Sequence, residues 1–252
     1  MPRVRAITFD LWDTVLIDDS DESKRKAAGK SSKRVERRDL LEHFLRKHTP
    51  VPRNIIDAAY DVADEAFRKV WGELHVTWTV RERLSLILKG LGASLPDREM
   101  DELVRLHEDM ELEFRPDFAS GVHDALRTLH GRYTLGVISD TVFSPGRTLR
   151  KLLADEGLLE LFEVLIFSDE AGCSKPEEVL FTGACRSLGI KAEELLHVGD
   201  REEKDIVGPH AVGARGILCT VVVDRGSSGT KAEAVFDDYR KLPEIVEQLD
   251  ER

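Results

Sequence analysis

An aspartate directly after a short apolar run is better placed for chemistry than for packing. Asp10 in Ile7-Thr8-Phe9-Asp10-Leu11-Trp12-Asp13-Thr14 holds such a position. A carboxylate there can attack a phosphoryl group and form an aspartyl phosphate, dividing one hard step into two. The plain alternative is a turn or helix cap. Its prospective partners lie far down the chain. Ser139 sits in Val137-Ile138-Ser139-Asp140-Thr141. A hydroxyl and backbone N–H groups at a strand end can hold a phosphoryl oxygen. Lys175 precedes Pro176. Proline at a first helical position would keep that lysine near a helix start, where its point charge suits a dianion or the charged nucleophile. Asp200 and Asp205 follow Gly199. Mg²⁺ is typically held by one or two carboxylates together with substrate oxygens and water.

Each partner also has an ordinary explanation: a strand-end serine, a surface lysine, a helix-capping aspartate at 205. Asp200 is harder to dismiss, because it would bring a second negative charge close to Asp10. Carboxylates packed so closely need a cation to stay ionised. The candidate catalytic residues are therefore Asp10, Ser139 and Lys175, and the candidate Mg²⁺ ligands are Asp10, Asp200 and Asp205. Trp12, Asp13, Thr14, Asp140 and Thr141 flank them and are expected to meet the substrate. Thr14 could also hydrogen-bond across the turn to fix Asp10.

The surrounding patterns must bring these residues together. Val4 to Phe9 reads as a buried strand. Asp18 to Arg38 is charged and small, and is expected as an exposed loop or a solvated helix start that leads into the next layer. From Val35 to about Leu112 the apolar residues recur at helical spacing, in four stretches without a strand. Beyond Arg115-Pro116, strands and helices alternate. Strands are expected at 133–138, 164–167, 195–198 and 216–223, with helices at 122–129, 145–153, 177–188 and 205–212. Such alternation predicts an α/β fold: a Rossmann-like parallel sheet with helices on both faces. The helical stretch is an inserted all-α domain. The expected boundaries are 1–16 and 115–252 for the core and 17–114 for the insertion. In such sheets ligands sit outside the carboxyl ends of the strands, and Asp10, Ser139 and Asp200 each fall at such an end.

A chain of 252 residues with 41% hydrophobic content can bury a core. The net charge of −11 argues against a general nucleic-acid or anionic-membrane binder without forbidding an anionic substrate. The three cysteines lack metal-type spacing and fit reduced thiols in a cytoplasmic protein. The first apolar run is too short for a signal peptide, and no stretch approaches the ~20 apolar residues of a membrane span. A small-molecule substrate and a monomer or homodimer are expected.

In this order, the motifs around Asp10, Ser139, Lys175-Pro176 and Gly199-Asp200 through Asp205 resemble the haloacid dehalogenase-like (HAD) hydrolase superfamily. The resemblance spans nearly the whole chain. It implies a Mg²⁺-dependent hydrolase core, most often a phosphatase, with Asp10 as nucleophile. It also implies that the helical insertion is a cap of the first type, closing over the site to exclude water and confer specificity. Position 12 departs from the family. Its phosphatases carry there a second aspartate, which protonates the leaving group and then activates water; this chain has Trp12, with Asp13 where glycine is usual. An indole N–H only donates. Dehalogenases of the family carry a non-acidic aromatic near this position and need no metal. Three expectations follow: a Mg²⁺-dependent phosphatase for a small phosphorylated metabolite, a metal-independent 2-haloacid dehalogenase, or a weakly active or non-catalytic binder of a phosphorylated ligand. Asp13 replaces the missing acid only if the turn is unusual, because neighbouring side chains of an extended segment point to opposite sides. In the insertion, Trp71 and Trp78 are expected to pack its own core, and His75 to be a surface or packing residue.

Overall fold

The computed structural model describes residues 3–251. Positions 1, 2 and 252 of the expected core boundaries lie outside that range. The centre of the molecule is a six-stranded sheet. Its strands are β1 (Ala6–Phe9), β2 (Thr134–Ser139), β3 (Phe162–Phe167), β4 (Leu195–Gly199), β5 (Arg215–Cys219) and β6 (Ala234–Phe236), in the order β3-β2-β1-β4-β5-β6. Every neighbouring pair is parallel. Parallel strands are covered on both faces and read as continuous apolar runs, as the fully buried Ala-Ile-Thr-Phe of β1 does.

The strand order decides where the chemistry lies. β1 is flanked by β2 on one side and β4 on the other, with Phe9 in register with both Val137 and Val198. The chain therefore leaves β1 toward opposite halves of the sheet, which opens a crevice at the carboxyl ends. Asp10 follows β1, Ser139 ends β2, and Asp200 follows β4, so three adjacent strands deliver them to one edge.

Between β1 and β2 lie α1 (Ser20–Ala27), α2 (Lys33–Leu45), α3 (Arg53–Glu73), α4 (Val80–Gly90), α5 (Asp97–Glu108) and α6 (Met110–Glu113). They enclose an apolar core of their own, with Leu41, Phe44, Ile56, Leu84, Ile87 and Leu103 at its heart. A capping box of Thr79 and Glu82 starts α4, satisfying backbone donors that the first turn cannot. Helices α7 (Val122–His130), α8 (Gly146–Asp155), α9 (Ser168–Ala171), α10 (Glu178–Leu188), α11 (Gly208–Ala211) and α12 (Leu242–Asp250) cover the sheet. The chain is thus an α/β protein with an inserted all-α layer. No helix among the described residues is long and apolar enough to cross a membrane.

Three local expectations change. The charged run from Asp18 to Arg38 is solvated only in part, with Lys26 to Ser32 exposed. It forms α1 and the start of α2, and buries Asp21, Arg25, Lys33, Arg37 and Arg38. Lys33 is ion-paired to Asp21 at 2.8 Å and to Glu111 at 3.0 Å, and Arg25 bonds Glu36. Charge hides in a fold when opposite charges meet, and the partner at 111 is invisible in the local sequence. Pro176 does not open a helix: α10 begins at Glu178, and the Lys175–Pro176 peptide is cis. The helix expected from Asp205 is a π-helical turn, Glu202–Val207, followed by the short α11.

Candidate active site

The backbone of Asp10 is still held by the sheet, its N–H donating to the Val198 carbonyl at 2.8 Å. Its side chain emerges at the carboxyl edge and meets Lys175. The Lys175 ammonium donates to Asp10 Oδ1 at 2.8 Å and to Asp205 Oδ1 at 2.5 Å. Asp205 is wholly buried. Its Oδ2 accepts from the Arg201 N–H at 2.9 Å, and its Oδ1 lies 3.1 Å from His197 Nε2. A carboxylate only accepts, so Nε2 carries the proton. Nδ1 then accepts from Thr8 Oγ1, 2.9 Å away.

This packing sets the charges. Burial pushes Asp10 up to about 7, Asp205 and Asp200 push the same way, and Lys175 opposes them. Asp200 also rises, through burial and the nearby Asp205. Burial would raise Asp205 too, but Lys175 and His197 outweigh it and hold Asp205 below the usual carboxylate range. Burial disfavours the Lys175 cation, yet Asp10, Asp205 and Asp140 overcome that and raise it. The lysine is locked in its charged form.

Two cations face three carboxylates, Lys175 at Asp10 and Asp205 and Arg225 at Asp200. Asp10, Asp200 and Asp205 each offer an oxygen, and those oxygens lie within 4.8 Å of one another. Asp200 Oδ2 accepts from Arg225 Nε at 2.5 Å, whereas its Oδ1 is buried with no hydrogen-bond partner. Buried polar atoms are nearly always satisfied. An orphaned carboxylate oxygen within a negative cluster fits a hard divalent cation such as Mg²⁺, which takes oxygen ligands and inverts the local cost of charge.

Other expected residues take different places. Both carboxylate oxygens of Asp140 are engaged, accepting from the Lys175 N–H at 2.9 Å and from Lys204 Nζ at 2.6 Å. Ser139 Oγ accepts a long bond from the Leu11 N–H at 3.4 Å. The Thr141 hydroxyl turns to Ser168 and Asp169, each at 3.1 Å. Thr14 does not fix Asp10. Its hydroxyl is buried without a partner, and its carbonyl accepts from the Tyr239 hydroxyl at 2.8 Å.

Above this edge lies a cavity of about 650 Å³. Asp10, Trp12, Asp13, Asp140, Lys175 and Asp205 line it from the sheet side, and Arg37, Tyr60 and Trp71 from the helical layer. Ser139, Thr14, Thr141 and Asp200 do not line it. The insertion is seated on the core. The Ser174 N–H donates to the His75 carbonyl at 2.7 Å, His75 Nδ1 meets Glu177 Oε1 at 2.9 Å, and Arg83 reaches the Val142 carbonyl at 2.9 Å. His75 therefore joins the two layers, the packing alternative of the two expected for it. Trp71 and Trp78 both pack on Phe67 as expected, but Trp71 also carries the Lys204 ammonium 3.1 Å from its ring centroid.

The model of the haloacid dehalogenase-like hydrolase family matches residues 4–213. The chain belongs to that family. The glyceraldehyde 3-phosphate phosphatase of Pyrococcus furiosus is 30% identical over 236 residues, covering 86% of this chain and 81% of that protein. Two solved structures share the fold. A HAD phosphatase from Thermococcus onnurineus superposes with a TM-score of 0.65 at 20% identity, covering 96% of this chain and 98% of its own. A 2-haloacid dehalogenase from Pseudomonas syringae superposes with 0.64 at 22% identity, covering 98% and 99%.

Within this HAD hydrolase, the turn after Asp10 is unusual. Asp13 has φ 55°, a left-handed conformation uncommon outside glycine. It lines the same cavity as Asp10, but its carboxylate is taken up by the Asp18 N–H at 3.1 Å and by Arg225 Nη2 at 2.5 Å. Arg225 thus clamps Asp13 to Asp200. It comes from the Asp224–Thr230 loop, whose position after the last clear strand puts it on the edge of the site, but whose small polar residues give no sign that Arg225 will reach two carboxylates there. His197 and Lys204 were missed as well. A histidine inside an apolar strand was the only signal for the first.

The closest packing in the site is at Gly199, where an added Cβ would lie 2.2 Å from Asp205 Cγ. Asp205 cannot swing away from its Lys175, His197 and Arg201 partners. Gly199→Ala is expected to destabilise the protein by about 1–3 kcal/mol, read as the midpoint shift in urea unfolding. An unchanged midpoint would show that Asp205 moves freely.

Proposed function

We propose that the protein is a Mg²⁺-dependent phosphatase for a small phosphorylated metabolite, working through an aspartyl phosphate on Asp10. Two observations carry this together: one carboxylate oxygen each from Asp10, Asp200 and Asp205 lies within 4.8 Å of the others, and Asp200 Oδ1 is buried without a hydrogen-bond partner. Attack at carbon in a haloacid needs no metal and leaves the buried Asp200 Oδ1 unexplained. The Pyrococcus furiosus relative supports phosphate esters as substrates.

In this mechanism Asp10 attacks phosphorus, the bond from phosphorus to the ester oxygen breaks, and that oxygen leaves as an alcohol once protonated. Water then hydrolyses the acyl phosphate and frees Asp10. Asp10, Asp200 and Asp205 would hold the Mg²⁺, which when bound offsets the phosphate charge and polarises its oxygens. Lys175 keeps Asp10 oriented and balances its charge, and Ser139, once its buried hydroxyl turns from the Leu11 N–H toward the cavity, receives a phosphoryl oxygen with nearby backbone N–H groups. Residues 17–114 act as the cap, and 1–16 with 115–252 as the catalytic core. The protein works in the cytoplasm as a monomer or homodimer. Trp12 supplies no proton. Departure of the alcohol therefore depends on its own acidity, and aryl phosphates are turned over faster than alkyl phosphates.

The test is to incubate the protein with p-nitrophenyl phosphate and with 2-chloropropionate, each with Mg²⁺ and with EDTA. Phosphate release is expected, and should fall by about 10²-fold or more on chelation, in line with several kcal/mol of metal charge stabilisation. Chloride release that ignores EDTA would replace this function with dehalogenation, and no turnover of either substrate would favour a phospholigand binder, the two other readings that Trp12 raises.

A further inference from the structure

We propose that Arg37 forms a second anion subsite in the cavity, and that the substrate is a phosphomonoester carrying another anionic group, a carboxylate or a second phosphate, at its far end. This rests on the phosphatase reading and deepens it. Arg37 lies on α2 in the cap and lines the cavity. It is only 7% exposed, and its Nε is buried without a partner. Among the described residues nothing makes a hydrogen bond or an ion pair to its guanidinium. Every other cationic side chain lining the cavity has a carboxylate within 4.0 Å.

The neighbours make this solitude specific. Arg38, next in sequence, pairs with Asp61 at 2.7 Å, and Arg83 pairs with Asp64 at 2.6 Å. Glu111, the acidic group that most strongly favours the Arg37 charge, is already held by Lys33 at 3.0 Å and by the Ser144 hydroxyl. The guanidinium carbon of Arg37 lies 3.4 Å from the centroid of Phe143. Phe143 belongs to the loop that leaves β2 just beyond Ser139, so the cap arginine is stacked on the segment expected to hold the phosphoryl group.

A guanidinium stays charged, and its planar donors match a carboxylate or phosphate two bonds at a time. A buried charge without a partner is costly. Stacking on an aromatic face holds the plane of the group but leaves its N–H donors unused. A second anion on the substrate supplies what the fold withholds, and it does so only when the cap is seated. Specificity of this kind is strong, since a neutral analogue leaves the buried donors unpaired.

The test uses full-length Asp10→Asn protein in Mg²⁺ buffer, so that ligands bind without turning over. Calorimetry compares 3-phosphoglycerate with glycerol 3-phosphate, and fructose 1,6-bisphosphate with fructose 6-phosphate. In at least one pair the anionic-tailed member should bind about 10- to 100-fold tighter, the size of a charge-assisted bidentate contact. The pair that shows it tells carboxylate from phosphate. Adding Arg37→Met should erase the difference, and Arg37→Lys should keep part of it. If Arg37→Met does not fold, Arg37→Gln, which keeps donors but loses charge, is measured in its place. Equal affinities within both pairs, or a preference that survives loss of the Arg37 charge, would overturn the subsite. Phosphate release by the Asp10 protein is assayed in parallel. Turnover without discrimination defeats the subsite alone, and discrimination without turnover defeats the phosphatase reading.

Discussion

Asp10→Asn protein is expected to release phosphate at least about 10⁴-fold more slowly than the parent, because an amide cannot serve as the nucleophile of a covalent pathway. The substitution is nearly isosteric, and its carbonyl oxygen can still accept from Lys175. Stability should hold or rise. In the parent, burial and the carboxylates of Asp200 and Asp205 push the Asp10 carboxyl up to about 7, so its charge is tolerated for chemistry and opposed by its surroundings. Thermal unfolding without Mg²⁺, beside a phosphate-release assay with Mg²⁺, measures both. Substantial residual phosphatase activity would remove Asp10 from its proposed role. A lowered melting temperature would mean that the Lys175–Asp10 pair, 2.8 Å long, stabilises the fold more than the crowding of carboxylates weakens it.

The second large effect is a gain. Trp12→Asp places a carboxyl group in the cavity beside Asp10, at the position where the family's phosphatases carry their acid and base. General acid–base catalysis contributes roughly 10²–10⁴-fold. The gain should be large for alkyl phosphates, whose leaving alkoxide needs a proton, and small for p-nitrophenyl phosphate, whose phenolate leaves unaided. Trp12 is half-buried against the main apolar core, so the variant should lose about 1–3 kcal/mol of stability. kcat/KM for the two substrate types decides the matter. Equal or lower turnover of alkyl phosphates would show that the acid is supplied elsewhere, and Asp13, held in its left-handed turn by Arg225, would be the residue to examine next.

These two positions also show how legible the chain was. Asp10, Ser139 and Asp200 could be placed from local pattern alone, because an apolar run ending in a polar residue marks a strand end, and a parallel sheet collects its strand ends on one edge. The helical insertion was visible for a similar reason: periodicity near 3.6 shows which face an element buries, whatever it is buried against. Local pattern failed where a residue's state depends on a partner distant in sequence. Nothing near Lys33 announces Glu111. The charged run was therefore expected in solvent throughout, whereas Lys33, Asp21 and Glu111 pair out of solvent in the helical layer. Nothing near Thr14 shows that its carbonyl will meet Tyr239 and its hydroxyl will meet nothing.

The sequence by itself determined the sheet, the inserted helices, the edge at which the acidic residues gather and the absence of an acid at position 12. Each of these follows from short-range spacing or from the identity of one side chain. Only the tertiary structure decided which charges are paired and which are left over. It folds Arg225 back onto Asp13 and Asp200, leaves Asp200 Oδ1 open, and buries Arg37 without a counter-ion. Charge pairing is settled by three-dimensional distance in a medium that penalises the unpaired group, and that distance exists only once the chain has folded.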